Sequence, residues 1–144
     1  MPVQVEEATE APPEVVEAVQ RLVRQVSSNA PLPTADEVAA IAASPASILL
    51  IARDGPHILG MLTLVLFRIP TGVRALIEDV VTDESARRRG VGTALTQEAL
   101  RRAVEAGART VDLTSRPSRE DANRLYQQLG FQRRDTNVYR RVLP

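Results

Sequence analysis

At 144 residues and 44% hydrophobic composition the chain is long enough to bury one core, and a single domain over 1–144 is expected. It has neither cysteine nor lysine, which excludes disulfides, cysteine-based metal or nucleophile chemistry, and a lysine nucleophile. Net charge is zero but unevenly spread: residues 1–50 hold seven acids and two arginines, 101–144 ten arginines and five acids.

The start, Met1–Glu7, is acidic with no long apolar block, so no signal peptide is expected. Val3 to Glu6 alternates as a short first strand. Pro12-Pro13 then opens a helix, proline being tolerated in a first turn. From Glu14 to Val26 the residues Val15, Val16, Val19, Leu22, Val23 and Val26 recur at three- and four-residue spacing, the mark of an amphipathic helix. Ser27–Pro33 breaks it. Thr34 with Glu37 three residues on forms a capping box for a second helix, ending near Ser44-Pro45.

The middle of the chain predicts sheet. Ser47–Arg53 is a strand, Asp54-Gly55 a hairpin signal, His57–Phe67 a second strand, and Val73–Thr82 a third after the turn at Ile69–Gly72. A helix over Thr93–Ala106 and a strand over Arg109–Thr114 follow, an order that demands a parallel crossover. Ser118 is placed to cap a last helix with Asp121 at the box position, and Gly130 to stop it in the left-handed region. Gln132–Asp135 and Val138–Val142 would make a closing hairpin, which leaves a homodimer across a two-fold axis open.

Between the third strand and the following helix lies Arg87-Arg88-Arg89-Gly90-Val91-Gly92-Thr93. Two glycines remove side chains where backbone must approach something closely. A helix begins with N–H groups that lack intrahelical partners, and its dipole adds positive charge there. Such a turn binds anions, phosphates above all. It is not a P-loop, which needs Gly-Lys. Nor is it a Rossmann fingerprint, because Leu95 stands where a third small residue belongs and the turn lies past mid-chain.

What remains is [Q/R]-x-x-G-x-[G/A], matched by Arg87, Gly90 and Gly92, and it resembles the acetyl-coenzyme A loop of the GCN5-related N-acetyltransferases. A second segment, Asp121-Ala122-Asn123-Arg124-Leu125-Tyr126-Gln127-Gln128-Leu129-Gly130-Phe131, is similar to that family's cofactor-side helix. Both occur in the right order, separated by one strand. The resemblance implies an α/β fold, order β-α-α-β-β-β-α-β-α-β-β, with a mixed, mostly antiparallel central sheet flanked by helices.

The resemblance further implies direct transfer of an acetyl group from acetyl-CoA to a primary amine. In that reading Val80, Val81 and Thr82 offer backbone groups to the pantetheine arm, while Arg87 through Thr93 hold the pyrophosphate. Asn123 would bond the pantetheine or pyrophosphate region. Tyr126 would protonate the leaving sulfur, and Glu78 is the first candidate base. Tyr126 could instead be a packing tyrosine, Val80 and Val81 plain core, and Glu78 an arginine's partner. Glu78 and Asp79 are adjacent acids inside an apolar strand and must face opposite ways, with Asp79 the one expected in an arginine pair. The acceptor pocket would be lined by the Ser27–Pro33 loop, the end of the third sheet strand and the Arg133–Asn137 turn. His57 is expected to be a surface turn residue.

No His, Asp or Glu spacing suggests a metal. No apolar run approaches the ~18 residues of a membrane helix, and the two Phe and two Tyr form no stacking platform. Neither membrane nor nucleic acid is therefore an expected partner, and the cytoplasm is the expected compartment. Two other classes are the alternatives: an acyl-CoA-binding module that senses without turnover, and a nucleic-acid binder using the arginine clusters.

Overall fold

In the computed structural model, which describes residues 2–144, the apolar run Ser47–Thr82 folds into three antiparallel strands. In chain order the elements are β1 (Gln4–Glu7), α1 (Pro13–Val26), α2 (Ala35–Ala43), β2 (Ser47–Asp54), β3 (His57–Ile69), β4 (Gly72–Thr82), a 3-10 turn (Glu84–Ala86), α3 (Val91–Glu105), β5 (Thr110–Asp112) and α4 (Glu120–Gln128). They fall into two units, one through Thr114 and one from Ser115 to Pro144.

The first unit is a five-stranded sheet ordered β1-β2-β3-β4-β5, antiparallel throughout except for parallel β5 against β4. Asp54 pairs with His57, so Gly55-Pro56 is the whole turn, and Gly55 supplies its positive φ of 59°. At the other end Ile69 pairs with Gly72.

Each face of the sheet buries one helical stripe. Val15, Ala18, Val19 and Leu22 of α1, with Val38 of α2, close on Leu49, Ile51, Ile58, Met61 and Val81. On the opposite face Gly60, Leu62 and Leu64 lie beneath Val91 and Leu95 of α3. Each such fully buried aliphatic side chain contributes about 1.5–3 kcal/mol relative to exposure. Pro13 occupies the first position of α1, and both bonds of the capping box form, Glu37 N to Thr34 Oγ1 at 3.1 Å and Thr34 N to Glu37 Oε1 at 2.9 Å.

Expectation and structure part company in two places toward the C-terminus. Ser118 does not cap α4: the cap is Arg119, and no side chain bonds the first turn. Asn123 ties that turn down instead, its Nδ2 donating to the carbonyls of Arg116 and Arg119. The closing hairpin is also absent, since residues 132–144 carry no strand. Two strands alone are marginal in water, and this stretch interrupts its few apolar residues with four arginines.

Candidate functional site

The site begins with a fault in β4. Met61 pairs with Val81 and Thr63 with Glu78, so Asp79 and Val80 together oppose Leu62 alone. This is a β-bulge. Asp79 takes the left-handed conformation, φ 48°, which Asp tolerates better than a branched residue. The bulge reverses the phase of the strand. Ile77 stands opposite Leu64, on the face covered by α3, whereas Val81 stands opposite Met61, on the face covered by α1. In a regular strand those two positions would share a face.

Glu78 and Asp79 are both exposed, so neither carboxylate bears a desolvation cost. The expected arginine partner of Asp79 is not there: among the described residues it makes no ion pair, and its place at the bulge explains its tolerance. Glu78, opposite Thr63, likewise has no ion pair or side-chain hydrogen bond among the described residues.

Beyond the bulge the sheet opens. β5 pairs with β4 only at Arg74, Ala75 and Leu76. From Ile77 to Thr82 the β4 edge away from β3 has no strand beside it among the described residues, and Val80, Val81 and Thr82 lie on this stretch. Backbone groups on an unpaired edge invite an extended ligand to take a strand's place. The sequence signal for this was the pair of acids in an apolar strand, which marks a break in regular pairing without saying where.

The chain then makes its 3-10 turn and enters Arg87–Thr93. Arg87 has φ −61°, Arg88 φ 69° and Gly90 φ 78°. Left-handed residues at this junction turn the backbone sharply into α3, and such turns gather N–H groups into anion-binding concavities. Gly90 is the cap of α3 and offers no side chain to it. The first helical bond runs from Ala94 N to Gly90 O at 2.9 Å, so Val91, Gly92 and Thr93 have N–H groups without intrahelical partners. The helix dipole points its positive end here. Arg87 and Arg88 are exposed beside the turn, while Arg89 is tied to Asp54 at 2.8 Å. Helix α3 starts at Val91, two residues earlier than the sequence suggested, because Gly90 can hold the cap at positive φ.

Gly60 sets the depth of this turn, and the sequence reading missed it. A Cβ there would stand 2.7 Å from both Val81 O and Val91 Cγ1. Only glycine lets the first turn of α3 sit so close to β3.

In the second unit Tyr126 closes α4. Phe131 N bonds Tyr126 O at 3.0 Å and Gly130 N bonds Gln127 O at 3.1 Å, with Gly130 at φ 94°. These are the two bonds of a Schellman motif. The rings of Tyr126 and Phe131 meet edge to face at 5.8 Å. Burial raises the Tyr126 phenol pKa above its ordinary value, opposed by the positive charge of Arg119. Both donor hydrogens of the Asn123 amide are engaged by backbone carbonyls, which leaves its Oδ1 to serve as an acceptor.

Among the described residues no helix is long and apolar enough to cross a membrane, and no group of three or more His, Asp or Glu is arranged to hold a metal.

Solved structures of the same fold are numerous. A transcriptional regulator from Bacillus halodurans superposes with a TM-score of 0.82 at 27% identity, covering 98% of this chain and 100% of the other. A putative acetyltransferase from Agrobacterium tumefaciens gives 0.83 at 23% identity, with coverage of 99% and 100%. An aminoglycoside acetyltransferase from an uncultured soil metagenomic sample gives 0.84 at 17% identity, with coverage of 99% and 96%. No curated protein matches the chain. The model of the acetyltransferase (GNAT) family matches residues 16–131, most of the chain. With that match running from within α1 through α4, the chain belongs to the GNAT acetyltransferase family.

Proposed function

We propose that the protein moves an acetyl group directly from acetyl-CoA to a primary amine. Acyl transfer is the family's reaction class; the donor and the acceptor are the proposal. One observation carries it: an open β4 edge at Val80–Thr82 leads, through one 3-10 turn, into a turn whose N–H groups and arginines suit a pyrophosphate. A pantetheine arm pairs along the first, as an added strand would. The diphosphate takes the second.

The chemistry asks for three things. An aliphatic ammonium has a pKa of ~10.4, so the acceptor must lose a proton before it attacks. Glu78 is the group assigned to take it, directly or through water, being exposed and free of ion pairs among the described residues. Attack of the amine nitrogen on the thioester carbonyl forms a C–N bond and a tetrahedral oxyanion, which a backbone N–H of the opened β4 edge stabilises. Collapse breaks the C–S bond: the sulfur leaves as thiol by taking the Tyr126 proton, and the nitrogen sheds its second proton to water, from which the tyrosinate is reprotonated. That tyrosine is carried over from the family motif. A phenol is protonated at neutral pH, as a general acid must be, and burial keeps it so. Val80, Val81, Thr82, Arg87, Arg88, Arg89, Gly90, Val91, Gly92, Thr93 and Asn123 are the proposed donor-binding set.

Calorimetric titration with acetyl-CoA, run beside the Gly92→Glu variant, tests the reading. Micromolar binding to the intact protein, lost in the variant, is the expected result and justifies screening amines for thiol release. Absence of binding to the intact protein overturns it. Binding without turnover across a broad amine panel would instead assign a sensing module.

A further inference from the structure

The turn is held in place from the side of α1. Arg21 Nη2 donates to the carbonyl of Ile58 at 2.8 Å, Nε to Asp83 Oδ2 at 3.1 Å, and Nη1 to Glu17 Oε2 at 2.9 Å. Gln25, one helical turn further along the same face, accepts the backbone N–H of Glu84 at 3.0 Å. Asp83 is fixed on its other sides too. Its carboxylate accepts from Ser85 N and Ser85 Oγ, each at 3.0 Å, and its own N–H bonds Leu59 O at 2.7 Å. Its carbonyl accepts from Ala86 N at 2.9 Å. The residues Asp83 to Ala86 thus form a tied block, and Arg87 leaves it directly.

Two of these ties join residues 62 and 59 positions apart in the chain, both from α1. Gln25 and Glu84 are exposed, so water could replace their bond at little cost to folding. What water cannot supply is direction. A fork such as the Arg21 guanidinium fixes Asp83 and Ile58 at set angles to α1. The anion-binding turn inherits its aim from that block on one side, as it inherits its depth from Gly60 on the other.

We propose that Arg21 and Gln25 are positioning residues for the phosphate-binding turn, acting through Asp83 and Glu84 without touching the ligand. This rests on the acyl-CoA reading of that turn. Their contribution is confined to the pyrophosphate end of the donor and leaves the pantetheine end untouched.

The test is to titrate the intact protein, Arg21→Met and Gln25→Ala with CoA and with S-acetyl-pantetheine, which lacks the pyrophosphate and nucleotide. Loss of one hydrogen-bonded tie should raise the Kd for CoA about fivefold in Gln25→Ala, and loss of the fork about tenfold in Arg21→Met. The ratio of CoA to S-acetyl-pantetheine affinity should fall by the same factors. A role in folding alone would weaken both ligands together and leave that ratio unchanged, which overturns the proposal. Unchanged CoA affinity in both variants overturns it as well. Should Arg21→Met fail to fold, Gln25→Ala, at an exposed position, decides the matter. If the intact protein binds no CoA, the acyl-CoA reading itself falls, a result distinct from intact binding that the variants leave unaltered.

Discussion

Gly60 and Val91 are so close that a single methyl group on the glycine would stand 2.7 Å from Val91 Cγ1. The contact joins the middle of the sheet to the first residue of α3, at the point where the proposed donor-binding turn becomes helix. It also makes the turn's position testable without altering the turn.

Gly60→Ala should destabilise the protein by about 1–3 kcal/mol, the usual range for overpacking. Val91 Cγ1 could move, but the second clash, with Val81 O at 2.7 Å, is to backbone and cannot rotate away. Urea denaturation will measure the loss. Affinity for acetyl-CoA should fall in the same variant because α3 is pushed off β3; full stability and full affinity would show that the sheet accommodates the methyl group.

Tyr126→Phe keeps the edge-to-face contact with Phe131 and removes only the hydroxyl. Loss of a general acid typically costs a hundredfold or more, so kcat should drop by about that factor while acetyl-CoA binding changes less than about twofold. Steady-state kinetics with calorimetry on the same preparation separates the two. Unchanged turnover would return Tyr126 to a packing role.

Glu78→Gln tests the base. The substitution removes no ion pair among the described residues and lies at an exposed position, so the fold should be untouched. Expected is a fall in kcat/KM of about a hundredfold, with the acidic limb of the pH–rate profile gone. A retained limb would move the proton to another acceptor.

Acid sensitivity should trace to Glu98. Its hydrogen bond to Arg101 is the largest influence; burial opposes it, and Arg102 adds to it, so the carboxyl is held down at about 2. Arg102 reaches on to Glu7, which ties α3 to β1. A carboxyl depressed in the folded state stabilises fully above its ordinary value of 4.5 and loses that contribution as pH falls toward 2. Asp83 is depressed as well: burial raises it, but Ser85 and Arg21 lower it further, so it acts with the same sign. Glu98→Gln should cost roughly 1–2 kcal/mol at neutral pH after allowance for solvent screening. Thermal unfolding from pH 7 to pH 2 should show variant and parent converging at the acid end.

Local chemistry made much of this protein readable from its residues alone. The α1 stripe, the Thr34–Glu37 box, the Gly55 hairpin and the Gly130 stop each depend on neighbours within a few positions, and each is found where the sequence places it. The helix start after Gly90 was legible to within two residues, and any helix start leaves N–H groups without intrahelical partners whatever lies around it. Other features arise from contacts across dozens of residues. The phase reversal at Asp79 is fixed by which β3 residues stand opposite, because a strand's faces are assigned by its partner and not by its own alternation. The parting of β4 from β5 after Leu76, the need for Gly60, and the reach of Arg21 to Asp83 arise in the same way. The sequence by itself determined the elements through α4 and the glycine turn that opens α3, while the expected closing hairpin did not form; the tertiary structure decided how that turn is aimed, since direction is set by distant partners brought together only when the sheet closes.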